Sequence, residues 1–156
     1  MIEICVWGMD PAPQGSKSVS RSGFAYEANK NTRPWRQAVA SAAAEVMAGV
    51  IGKDPSMSQI ISPREILTGP CRLEVFFVFT RPGSHFGTGK NAGVLKASAP
   101  THHPKKPDTD KLLRAIGDAL TGVVVRDDSQ FSEVIARKTY TEYGDSPGVR
   151  ILVTPL

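Results

Sequence analysis

Two hydrophobic periods organise the chain. A period of two runs through Ile2, Ile4 and Val6, which alternate with polar neighbours and predict a first strand over residues 2–8. The same period is strongest over 71–80. Leu73, Val75, Phe77 and Phe79 share one face there, and Phe76 and Val78 predict that a helix covers the other. Residues 131–140 read as a long strand, 143–148 as turn-rich, and 149–154 as a closing strand, so these three predict an antiparallel hairpin attached to the sheet. A period of 3.6 places Trp35, Val39, Ala42, Ala43 and Val46 on the core stripe of a helix over 32–47, with Thr32 as N-cap and Pro34 in the first turn. Trp35 at that spacing is expected to pack rather than to stack on a base. A second, shorter helix follows from Leu112, Ile116 and Leu120 at i, i+4 and i+8, with Leu113 alongside. Thr121 and Gly122 supply its stop, and residues 123–125 are expected to form a buried strand. The pattern predicts an α+β fold: one domain over 1–156, with a mixed four- to five-stranded sheet and two main helices packed on it.

Three segments lack a period. Residues 10–23 are rich in Pro, Gly and Ser and predict a loop, which carries Lys17 and Arg21. The functional reading of that loop is a phosphate-contacting flap, and the plain reading is a solvated connector. Residues 49–70 are expected to hold turns with one short helix or none, as an insertion. The third segment, 81–106, contains Arg81, Lys90, Lys96, Lys105, Lys106 and three histidines with no acidic residue. Its thin apolar content predicts a DNA-contacting arm outside the core. The glycines between 83 and 90 do not have phosphate-loop spacing, so that motif is rejected. His102 and His103 are expected to be solvated or to face phosphate.

Composition narrows the class. A hydrophobic fraction of 40% and a charged fraction of 22% fit a soluble globular protein, and 156 residues suffice for one real core. The net charge of +4 leans towards a polyanionic partner. Cys5 and Cys71 fall in predicted strands, which fits a reduced cytosol better than a disulfide scaffold. No apolar run approaches ~20 residues, and the start lacks a signal-peptide pattern. The expectation is a cytoplasmic protein of a bacterium or phage-infected host, without a membrane.

The chemistry concentrates in residues 106–130, which hold Asp108, Asp110, Asp118, Asp127 and Asp128, five of the fifteen acidic residues. Pro107 blocks a helix before Asp108, and Asp110 is expected to cap the helix, so both carboxylates aim from its entrance. A returning strand then brings Asp127 or Asp128 back towards them. Crowded carboxylates either share protons or bind a hard cation such as Mg²⁺, and a metal with open water positions suits phosphodiester hydrolysis. Each Asp also has a plain reading: Asp110 as a cap, the 127–129 stretch as a turn, and Asp118 paired with Arg114 or Lys111 across the helix surface.

These residues resemble the RusA-type Holliday junction resolvases, in a phage or prophage member. The family pattern Pro-Asp-x-Asp, a base, Asp-Ala-Leu and Asp-Asp-x-Gln is met by Pro107, Asp108, Asp110, Arg114, Asp118, Ala119, Leu120, Asp127, Asp128 and Gln130. The resemblance implies metal binding by Asp108, Asp110 and Asp128, with Asp127 a weaker candidate beside them. Two positions depart from the family: Lys111 stands where Asn is usual and Arg114 where Lys is common.

The resulting expectation is an Mg²⁺-dependent (or Mn²⁺-dependent) endodeoxyribonuclease of DNA recombination and repair that cuts four-way junctions by paired nicks. Asp108, Asp110, Asp128 and Arg114 would be catalytic, and Lys17, Arg21, Lys90, Lys96, Lys105, Lys106 and Lys111 would contact DNA. The resemblance also implies a homodimer, since paired nicks in a two-fold junction call for two sites. The alternatives are another metal-dependent phosphohydrolase and a non-catalytic, structure-specific DNA-binding protein.

Overall fold

The computed structural model describes residues 1–15, 17–19, 21–22, 25–27, 29–51, 59–60, 62–142 and 145–156, with 17–19, 25–27, 51 and 59–60 described by their backbone alone. Alternation builds the sheet where the sequence predicts it. β1 (Ile2–Trp7) is followed by a small hairpin of β2 (Lys17–Val19) and β3 (Ala25–Glu27). β2 lies within the stretch 10–23 that the sequence reads as loop and β3 just beyond it, because a few paired residues need no hydrophobic period. The helix α1 (Thr32–Met47) comes next, then β4 (Val50–Ile51) paired with β5 (Gln59–Ile60), where turns or a short helix were expected. β6 (Cys71–Phe79), α2 (Thr109–Leu120), β7 (Phe131–Tyr140) and β8 (Gly148–Pro155) complete the order.

The main sheet has four strands in the order β1-β8-β6-β7. β8 runs antiparallel to both β1 and β6, while β7 lies parallel to β6 on the far side. The expected β7–β8 hairpin therefore does not form, because β6 separates the two strands. A parallel pair needs a crossover, and α2 is that crossover.

One face of the sheet carries the core. Ile2, Ile4, Leu73, Val75, Phe77, Ile151 and Val153 join Trp35, Val39 and Ala43 of α1 and Leu112, Ile116 and Leu120 of α2 in a single buried cluster. Among the described residues no helix covers the opposite face, although Phe76 and Val78 suggested one. Ion pairs Arg72–Glu133 and Arg150–Glu3 and the Arg137 guanidinium over Phe76 partly shield it, and Trp7 stays 43% exposed.

Three local expectations also change. The N-cap of α1 is Asn31, and Thr32 instead sends its hydroxyl to the Pro13 carbonyl at 2.7 Å, tying the early loop to the helix. Residues 123–125 form a turn after α2, because Val123 N and Val124 N bond back to the Leu120 carbonyl while Val124 and Val125 plug the core. Gly122 takes φ +76° at this stop, as the sequence predicted. Asp108, not Asp110, is the N-cap of α2, and its side chain makes no capping hydrogen bond.

Candidate metal and DNA site

The acidic residues sort themselves by partner. Asp118 pairs with Arg36 of α1 at 3.5 Å rather than with Arg114 or Lys111, so it ties the two helices together. Asp127 caps the short turn at 128–130: its Oδ1 accepts from Ser129 N at 2.9 Å, and its own N–H donates to Gln130 Oε1 at 3.0 Å. Those bonds from Ser129 hold its carboxyl below the usual range. Gln130 also donates to the carbonyls of Leu67 and Gly69 at 3.1 and 2.8 Å, bolting the turn to the segment that leads into β6.

Asp110 and Asp128 stand differently. Both are exposed, and among the described residues neither carboxylate has a hydrogen-bond or ion-pair partner. They line one cleft of about 280 Å³ with Arg114 and Gly117, walled by Leu73, Leu113, Phe131 and Val134. Positions 110, 114 and 117 fall on one helical face by their spacing. Asp128 packs against the helix at Gly117, where a Cβ would meet its Cβ and Oδ2 at 3.4 Å, an ordinary van der Waals contact.

Asp108 opens on a second cleft, of about 490 Å³, lined among others by Asp10, Pro11, Pro13, Phe79, Lys106, Pro107 and Lys111. Lys111 Nζ lies 3.1 Å from its Oδ2. That hydrogen bond and charge hold the Asp108 carboxyl below its ordinary value. The expected meeting of three or four carboxylates at one point is not seen. Among the described residues, no three Asp, Glu, His or Cys side chains come together closely enough to hold an ion.

Lys138 of β7 fixes the approach to Asp108. Its ammonium donates to the carbonyls of Lys105 and Pro107 at 2.7 and 2.6 Å, while its own carbonyl accepts from His103 N at 2.9 Å. Burial lowers its pKa, partly offset by the Asp108 carboxylate. A residue thirty positions away in sequence gave no signal of this bond.

The basic segment before Asp108 is a folded flap, not a free arm. Arg81 binds the carbonyls of Pro100 and Thr141, each at 2.9 Å, and lies 5.2 Å over the Tyr140 ring. His103 is half-buried and stacks on Phe79 at 4.2 Å, instead of meeting solvent or phosphate, although His102 is exposed. Lys96 is tied to the Ser84 carbonyl at 2.9 Å. Lys90 is exposed at the tip, and Lys105 and Lys106 are exposed beside Asp108. Arg21 is exposed, and the Lys17 side chain lies outside the described residues.

The donor chemistry fits a hard divalent cation. Mg²⁺ commonly takes one or two carboxylates and keeps several waters, and Asp110 and Asp128 offer unpaired carboxylates open to solvent. An α+β domain whose crossover helix and the turn after it present such acids beside an Arg has the parts of a metal-assisted site. The sequence matches the family model described as Endodeoxyribonuclease RusA over residues 9–154, and the chain belongs to that family. It is also 30% identical over 96 residues to the "Uncharacterized protein YqaN" of Bacillus subtilis (strain 168). That similarity covers 58% of this chain and 61% of the relative, so the chain spans less than two thirds of the relative's length. Among the described residues no helix is long and apolar enough to cross a membrane.

Proposed function

We propose that the protein is a divalent-metal-dependent endodeoxyribonuclease that resolves four-way DNA junctions in the cytoplasm. The observation that carries this reading is the pair of unpartnered carboxylates, Asp110 and Asp128, sharing one cleft with Arg114 in a member of the RusA family. Asp110 and Asp128 would hold Mg²⁺ or Mn²⁺, and Asp108 would join them on ion binding by giving up its bond to Lys111. The bound ion supplies activation of water and charge stabilisation on the phosphate. Arg114 adds a fixed positive charge at the same phosphate; its guanidinium keeps the charge of a Lys but spreads it over a planar fork. Lys106 and Lys111 guide the strand past Asp108, and Lys90 and Lys105 extend the contact along the flap.

Symmetric nicking of a two-fold junction calls for two copies of the site, hence a dimer. The open face of the sheet, with Trp7 at 43% and Ile135 at 42% exposure, offers apolar surface for that pairing. The decisive assay compares a four-way junction, linear duplex and free nucleotides with and without Mg²⁺. Metal-dependent paired nicks in the junction alone support the proposal. Hydrolysis of nucleotides would point to a different phosphohydrolase, and tight junction binding without cutting to a non-catalytic binder.

A further inference from the structure

We propose that the cleft beside Asp108 seats one unstacked nucleoside of the bound DNA strand, next to the phosphate that is cut. The inference rests on the nuclease reading above and names a subsite for it. Pro11, Pro13 and Pro107 line the cleft of about 490 Å³ with apolar rings, and Phe79, 6% exposed and stacked on His103, closes its floor. Apolar ring surfaces of this kind suit packing against the face of a base irrespective of its sequence identity. The volume lies within the ~300–1,000 Å³ typical of small-molecule sites.

The walls are held in place before any ligand arrives. The Asp10 carboxylate accepts from Thr80 N at 2.7 Å and from Thr80 Oγ1 at 2.9 Å, so both its oxygens are engaged. Gln14 N bonds the Lys111 carbonyl at 3.0 Å, and Thr32 Oγ1 bonds the Pro13 carbonyl at 2.7 Å. The early loop, α1 and α2 thus form one frame around the cleft.

Charge decides which way a nucleotide enters. The cations, Lys106 and Lys111, lie on the Asp108 side, while Asn29 and Asn31 contribute neutral amides to the lining. A phosphate is therefore favoured at the lysines, beside the carboxylate, with the uncharged base against the prolines and Phe79. Asn29 Oδ1 accepts from Asn31 N at 2.9 Å, which leaves the Asn29 NH₂ and the Asn31 amide to meet a base edge.

Gly15 provides the test, because it lines the cleft and a Cβ there would meet no atom within 4 Å. Gly15→Trp is thus expected to fill the space without disturbing the frame, with Gly15→Leu as a smaller second filling. Junctions carrying 2-aminopurine at single positions flanking the mapped cut are bound in Ca²⁺ and read by fluorescence. On the wild-type protein one flanking position brightens severalfold. In the filled variants that rise disappears, junction affinity is kept, and cleavage in Mg²⁺ falls roughly 10- to 100-fold. A mixture of free deoxynucleoside monophosphates added in excess leaves the signal in place if the site takes its nucleoside from the DNA strand. Loss of the signal to that mixture, equal brightening in the filled variants, or no brightening on a wild-type protein that cuts, overturns the inference. A wild-type protein that neither binds nor cuts branched DNA instead overturns the functional reading on which it rests.

Discussion

The clefts on the two sides of the α2 entrance differ in what their carboxylates already hold. In one, Asp108 faces Lys111 at 3.1 Å among proline and aromatic walls. In the other, Asp110 and Asp128 share solvent-open space with Arg114 and have no partner among the described residues. The same contrast recurs in the second acidic pair, where Asp127 is spent on a cap and its neighbour Asp128 is not. Acids one or two residues apart thus have opposite roles. An exposed carboxylate left without a partner keeps its oxygens for an external cation, and one already hydrogen-bonded serves the chain first.

The largest effect should separate Asp128 from Asp127. Asp128→Asn is expected to lower junction cleavage about 10²- to 10³-fold while binding stays equal or tightens, since a neutral amide is a poor Mg²⁺ ligand and repels phosphate less. Asp127→Asn should keep most of the cleavage and lower the Tm by a few degrees, measured by calorimetry. If Asp127→Asn proves as inactive as Asp128→Asn at an unchanged Tm, the contrast between the two acids is wrong.

A smaller loss is expected at Lys138, which touches neither phosphate nor metal but sets the backbone before Asp108. Lys138→Met should reduce kcat about 10- to 100-fold, as removing a group that orients a metal ligand does, with little change in KM. Lys138→Arg should recover part of it. A fall confined to KM would move Lys138 into direct DNA contact.

The flap contributes binding more than chemistry. Changing Lys90, Lys105 and Lys106 together to Ala should weaken junction binding and flatten its salt dependence, with the slope in log–log form reduced by up to about 0.9 for each phosphate no longer neutralised. Thermal stability should barely move, because all three side chains are exposed. A wild-type salt slope in the triple variant would leave the flap without a phosphate role.

The smallest effect is on stability against pH. Burial, then the charge of Lys138, pushes the His103 pKa below 6.5. The unfolded chain then takes up a proton where the folded chain does not. Stability is accordingly intact above about pH 6.5 and declines as the pH falls through that value towards the folded pKa. His103→Phe keeps a ring against Phe79 and cannot titrate, so its Tm should depend less on pH over the range from about 7 to 5. An unchanged profile would show that His103 is not the group responsible.

How much of this was legible in the sequence follows from the range of the interactions. α1 spans Thr32–Met47, and β6 Cys71–Phe79, within a residue of the predicted bounds, because each is written in a local hydrophobic period. Residues 123–125 misled because a short apolar run fits a strand or a buried turn equally well. The strand order escaped because pairing of β8 with β6 instead of β7 is a long-range choice. At the site, the spacing brought Asp108 and Asp110 together with Asp127 or Asp128, and the family resemblance singled out Asp128 and Arg114. It did not show Asp118 reaching Arg36 on α1, or Lys138 holding the Pro107 carbonyl. Those pairings exist only once the helices and β7 are packed together.

The unpaired carboxylates of Asp110 and Asp128 should bind metal even without DNA. Mn²⁺ titrated into the DNA-free protein, followed by calorimetry or by the loss of the free-ion paramagnetic signal, reads that affinity without any cleavage. Saturable binding is expected for the wild-type chain, and binding at least about tenfold weaker for Asp110→Asn, a difference of roughly 1.4 kcal/mol, at the same metal-free Tm. Equal Mn²⁺ affinity in the two proteins would contradict the claim.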